Sequence, residues 1–229
     1  MKWNSRQVLV IVAAVVLIVA GALFYFVNRP ADVDLGGAGG GDAGGGAGGG
    51  GAATSELMEP GPLGEMTLGE ANAPNTVIEY VSMTCPHCAR FHNDVYPSFK
   101  EKYIDTGKVL FVLREFPLDP LATSAIMLAR CQPKDRFFPI VDLLFEQQNS
   151  WAFVQDPKTA LINLVKQAGI TEEQFTACLT NQSILDGVNW VKNRASEKFG
   201  VDSTPTFFFN GEKRSGELSL EEIDKIIGG

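Results

Sequence analysis

The sequence predicts an α/β domain whose sheet is interrupted by a large helical block, carried on an N-terminal membrane anchor and a flexible tether. Three patterns predict the domain. A strand–helix–strand run lies between Asn75 and Pro117, helical periodicity then holds from Leu118 to Phe199, and strand-forming residues return at Thr204. Upstream, Val8–Val27 is a run of twenty residues without a charge or a proline. That length crosses a ~30 Å hydrocarbon core at ~1.5 Å per residue.

Lys2 and Arg6 precede the apolar run, and Arg29, Asp32 and Asp34 follow it. Basic flanks stay cytoplasmic, so the N-terminus is expected inside and the remainder exported. A cleaved signal peptide is the rival reading, with Ala20-Gly21-Ala22 as the cleavage site. It would leave an apolar mature N-terminus, and the run exceeds a signal peptide's apolar region of roughly 7–15 residues. The expectation is therefore an uncleaved anchor over residues 1–28. Residues 29–59 read as a linker, because Gly36–Ala53 is nearly all glycine and alanine and cannot bury apolar surface. The head is placed at 60–229, with its helical insert at about 118–200.

Each element of the head has its own signal. Asn75–Met83 is rich in β-branched and aromatic residues and reads as a buried strand. From Cys85, apolar residues at Phe91, Val95, Phe99 and Tyr103 recur every four positions, a helix that Pro97 should kink. Gly107–Pro117 is the next strand, and strand–helix–strand implies a parallel pair. Several helical segments follow, one opened by Thr171 as cap. Thr204–Asn210 is a strand with Phe207, Phe208 and Phe209 in the core, Asn210-Gly211 is a hairpin turn, and Ser219 caps a last helix. A net charge of −8 speaks against a nucleic-acid backbone as partner.

The chemistry is expected at Cys85-Pro86-His87-Cys88, which follows a strand and opens a helix. Unpaired N–H groups and the dipole at a helix N-terminus stabilise a thiolate, so Cys85 should be acidic and nucleophilic. Pro86 suits the first helical position, His87 should set a donor or positive charge beside Cys85, and Cys88 should resolve the mixed disulfide from one turn further on. Zinc fits poorly, because Cys131 and Cys178 do not form a second close pair. A purely structural disulfide between Cys85 and Cys88 would close a loop too small to restrain the unfolded chain much. No metal or cofactor is expected.

Strand, Thr84-Cys85-Pro86-His87-Cys88, helix, helical insert, then Thr204-Pro205 opening a strand resembles the DsbA-type thiol–disulfide oxidoreductases of the thioredoxin superfamily. The resemblance covers about residues 66–227 and implies a thioredoxin-like fold with an inserted helical domain. It implies that Pro205 is a cis-proline facing the redox pair, with the Thr204 backbone free to pair with a substrate peptide. It also implies that Glu79 is a buried acid relaying the proton of Cys88; as a residue alone, Glu79 could equally face water from an edge strand. The resemblance further implies an oxidant: a dithiol oxidase acting on cysteine pairs of exported proteins and reoxidised by a DsbB-type, quinone-linked membrane partner. Thr204 occurs in both isomerases and oxidases of the family and does not decide direction. An isomerase, a reductase serving cytochrome maturation and a non-enzymatic peptide-holding module remain alternatives. The expected state is a monomer, on the periplasmic or outer face of a bacterial membrane. Cys131 and Cys178 read by themselves as small buried hydrophobes, whereas the resemblance implies that they pair as a second disulfide. His92 could tune the redox pair without touching it, or serve as a metal ligand from over a turn beyond Cys88, but it is expected on a solvated helix face; Trp151 and Trp190 are expected packed in the insert.

Overall fold

The computed structural model describes residues 55–228. Val8–Val27 and most of the tether lie outside them, and among the described residues no helix is long and apolar enough to cross a membrane. Five strands form one sheet: β1 (Met66–Leu68), β2 (Asn75–Val81), β3 (Val109–Glu115), β4 (Thr206–Phe209) and β5 (Glu212–Ser215), in the order β1-β3-β2-β4-β5. β2 and β3 run parallel, as a strand–helix–strand unit requires, and the other pairs are antiparallel. β1 carries too few residues to stand out in the sequence. Asn210 and Gly211 both take positive φ (50° and 92°), the twist a two-residue hairpin needs between β4 and β5.

Both faces of the sheet are covered, so β2 reads apolar almost continuously. Val77 and Val81 face the main core with Phe111, Leu113, Phe207 and Phe209, and Ile78 and Tyr80 face a smaller core with Val112 and Phe208. Glu79 has the parity of Val77 and Val81, which points it into the main core. The smaller core also holds Leu57, buried at 2% exposure although its number falls in the expected linker. Arg114 fixes this segment, donating to the Leu57 carbonyl, the Tyr80 hydroxyl and the Glu65 carboxylate. The folded body therefore begins before Pro60, because one apolar side chain and one buried guanidinium recruit the end of the tether.

The helical run after β2 is not uniform. α1 (Pro86–Arg90) passes into a π-helical turn (Phe91–Val95), then α2 (Tyr96–Phe99), then a second π turn (Lys100–Ile104). The wider turn ahead of Pro97 changes the helix phase where the missing proline N–H would interrupt the ladder. Beyond Cys88 and Ala89, the buried residues are accordingly Phe91, His92, Tyr96, Phe99, Tyr103 and Ile104, with Val95 only half-buried. His92 is thus a core residue, which corrects its expected solvated position.

The insert comprises α3 (Pro120–Arg130), α4 (Lys134–Glu146), α5 (Gln148–Trp151), α6 (Pro157–Gln167), α7 (Glu172–Leu179) and α8 (Gln182–Phe199); α9 (Leu220–Ile227) ends the domain. Thr171 and Ser219 cap α7 and α9 through reciprocal bonds with Gln174 and Glu222. Cys131, at the end of α3, and Cys178, in α7, form a disulfide. Trp151 is fully buried and donates to the Leu144 carbonyl, whereas Trp190 is 37% exposed under the Arg194 guanidinium, outside the packing expected of it. Its ring lies close to Gly61, which precedes the insert in sequence.

Candidate active site

β2 is central, so the loop at its C-terminal end is held by both neighbouring strands and delivers Cys85 to the tip of α1. Cys85 is the N-cap, extended at φ −81° and ψ 118°, and its sulfur accepts the Cys88 N–H at 3.5 Å; Pro86 opens the helix. Opposite lies the Thr204–Pro205 peptide bond, which is cis. As a thiol, Cys85 donates to the Thr204 carbonyl at 3.2 Å. Cys85 and Cys88 are both present as free thiols, with Cys88 wholly buried behind Cys85.

The two thiols are driven apart in acidity. The Cys85 thiol is lowered from 9.0 to about 5, first by a hydrogen bond from the Cys88 thiol. Burial opposes this, and the backbone N–H groups of Cys88 and His87 reinforce it. Cys88 is pushed well above its ordinary value by burial, by its bond to Cys85, and by the charges of Cys85 and Glu79. The outer sulfur, Cys85, is therefore ionised at neutral pH, and the sulfur behind it is protonated.

Glu79 lies at 0% exposure on the central strand, not on an edge, and burial raises its carboxyl above the usual range against the pull of His92. His92 Nε2 stands 3.0 Å from its Oε2, donating while the carboxylate is ionised. His87 departs from expectation. Its imidazole lies 2.6 Å from the Arg90 guanidinium and 3.4 Å from Glu217, with the side chain 61% exposed. What reaches the Cys85 sulfur from His87 is its backbone N–H. The physical reason is that a residue at the second helical position points its amide at the N-cap while its side chain leaves outward.

Three residues that the sequence did not single out hold this loop. Gln148, at the start of α5, donates to the carbonyls of Met83 (2.8 Å) and Cys85 (3.0 Å), fixing the peptide on either side of Thr84. Thr84 donates to Asp119 at 2.5 Å, and Asp119 caps α3 through the Ala122 N–H. Ser82 accepts from the Leu118 N–H at 3.2 Å. The insert thus acts as a brace for the redox loop. Lone Gln and Asp residues carry no such signal, apart from Asp119-Pro120 as a helix start. Among the described residues no group of three or more His, Cys, Asp or Glu is placed to hold a metal ion.

These features define a class. Residues 63–228 match the family described as Thioredoxin, and the chain belongs to the thioredoxin superfamily, in its DsbA-type branch of thiol–disulfide oxidoreductases. Among solved structures, α-DsbA1 of Wolbachia pipientis is 34% identical with a TM-score of 0.69, over 76% of this chain and 96% of that one. A relative from Bacillus anthracis, provisionally named disulfide bond formation protein D, is 30% identical over 71% of this chain and 78% of its own. One from Rickettsia felis, provisionally named a protein-disulfide oxidoreductase, is 33% identical over 71% of this chain, and the match spans 59% of the rickettsial protein.

Proposed function

We propose that this chain is a membrane-tethered dithiol oxidase that passes the Cys85–Cys88 disulfide to cysteine pairs of exported proteins. The observation that carries this reading is the opposed acidity of the two thiols. A thiolate at Cys85 stabilises the reduced protein, so the disulfide form is the electron acceptor. A substrate thiolate attacks the Cys85 sulfur. The Cys85–Cys88 bond breaks, its electron pair goes to Cys88, and Cys88 takes up a proton. A second substrate thiolate then attacks the substrate sulfur joined to Cys85, closing the substrate disulfide and releasing Cys85 as thiolate. The Thr204 carbonyl lies 3.2 Å from the Cys85 sulfur, where an extended peptide can pair with the Thr204 backbone. Leu118, 50% exposed next to the loop, offers apolar contact to an unfolded chain.

A quinone-linked membrane partner of the DsbB type returns the pair to the disulfide. Val8–Val27 anchors the chain, with the catalytic head on the periplasmic or outer face of a bacterial membrane. The names of the Bacillus and Rickettsia relatives support the chemistry. Equilibration with glutathione buffers tests the direction. A potential near about −120 mV sustains the oxidase, and one near about −270 mV makes the protein a reductase. The span between them, ~150 mV, corresponds to ~7 kcal/mol for two electrons.

A further inference from the structure

Cys88 gains a proton when it leaves a disulfide and loses one when it attacks a disulfide, yet it has no exposure to solvent. That proton has to cross the core. Glu79 Oε2 is bonded to His92, and its other oxygen has no hydrogen-bond partner among the described residues. The same holds for His92 Nδ1 and for the Tyr96 hydroxyl. Three buried polar atoms without partners, side by side, are uncommon in a folded core.

The His92 ring stacks on Phe145 at 4.4 Å and lies 4.8 Å from Tyr96. It also forms part of the wall of a cavity of about 360 Å³ lined by Asn93, Pro97, Lys100, Asp142 and Glu146 as well. Asn93, Pro97 and Glu146 are exposed, so the cavity opens to solvent. His92 therefore stands between a buried carboxylate and a polar opening.

We propose that His92 is the proton path to Cys88, acting through Glu79 and fed from the cavity at Asp142. An imidazole can take a proton on one nitrogen and give one from the other. When Cys88 leaves a disulfide, Glu79 gives it a proton, His92 Nε2–H restores Glu79, and Nδ1 takes one proton from the cavity. In the reverse step the same proton returns to solvent. The groups facing His92 are Glu79 from β2, Asp142 and Glu146 from α4, and Tyr96 and Lys100 from its own helical run. Burial holds the Asp142 carboxyl above its ordinary range, which keeps a proton donor beside the opening closer to working pH. The path rests on the redox reading of Cys85 and Cys88, and the assay separates the two.

Reduced protein is mixed with oxidised glutathione in a stopped-flow instrument across the range between mildly acidic and mildly alkaline pH. The first phase is attack by Cys85, and the second is attack by Cys88 on the Cys85–glutathione disulfide. His92→Gln keeps an N–H for Glu79 but cannot pass a proton through. It should slow the second phase on the order of a hundredfold, flatten its pH profile and leave the first phase unchanged. Glu79→Gln should do the same, and the double variant should be no slower than the slower single variant, because the two act in series. A parental second phase in His92→Gln, or multiplied losses in the double variant, overturns the path. If His92→Gln does not fold, Asp142→Asn decides: a slower second phase at acidic pH supports the path, and a parental profile overturns it. Absence of the first phase in the parent protein would defeat the redox reading instead.

Discussion

The reduced protein should gain stability over the oxidised protein as pH rises, the reverse of what an ordinary structural disulfide does. The Cys85 thiol sits at about 5 in the fold against 9.0 in an unfolded chain. A depressed pKa contributes stability that is fully present above the unfolded value and is lost as pH falls through the folded one. For Cys85 the window runs from about 9 down to about 5. Each pH unit inside it is worth about 1.4 kcal/mol, and Cys85 is half-titrated at its lower end, so the reduced form should gain about 2 kcal/mol between pH ~5 and ~7. Cys85 is 4% exposed, so solvent does little to screen the effect. The Cys85 charge also raises the Glu79 carboxyl, in the reduced form alone, and that coupling subtracts from the gain. Urea unfolding of both forms at the two pH values measures the gap directly. A gap that stays constant, or that moves toward the oxidised form with rising pH, would refute the assignment of Cys85 as a stabilised thiolate and remove the main support for the oxidase.

Iodoacetamide should label Cys85 with a midpoint near about pH 5 and leave Cys88 protected, while Cys88→Ser should accumulate mixed disulfides with a dithiol peptide. Faster labelling of Cys88 would reverse the two roles. Replacing Cys131 and Cys178 by alanine should cost about 4 kcal/mol in urea unfolding, because the bridge spans 47 residues, and should leave the Cys85 labelling midpoint where it is. Gln148→Ala leaves two buried carbonyls short of a donor and should destabilise by about 1–3 kcal/mol, with thermal unfolding as the measure. His87→Ala should leave the labelling midpoint of Cys85 unchanged, because its imidazole is directed to Arg90 and Glu217. A shift toward 9 would show that the ring does reach the sulfur.

The parts of the site that were legible in the sequence share a property: the local chain determines them. Cys85 is acidic because a strand ends and a helix begins there, and both signals lie within a dozen residues. Thr171, Ser219 and Asn210-Gly211 were equally readable as caps and turn. The role of His92 was not, since it depends on a phase change in the helix and on a carboxylate thirteen positions away in sequence. Four-residue spacing pointed inward at Val95, and the π turn brought Tyr96 in instead. Gln148 and Asp119 escaped for the same reason at longer range: their partners lie 63 to 65 and 35 positions away. The pairing of Cys131 with Cys178 came from family resemblance and not from spacing.

The π turn at Phe91–Val95 also bears on how this helix can change in length. It joins two segments whose buried faces are out of phase, the tip bearing Cys88 and the stem bearing Tyr96 and Phe99. Each residue added to or removed from an α-helix rotates everything on one side of it by about 100°. Removing one residue from Phe91–Val95 would restore a regular helix and improve its local hydrogen bonding. It would also swing Cys88 away from Glu79 or turn Tyr96 out of the core. Substitutions in this turn can be absorbed one side chain at a time, but an insertion or deletion cannot, so the length of the segment between Cys88 and Tyr96 is fixed by the geometry at both of its ends.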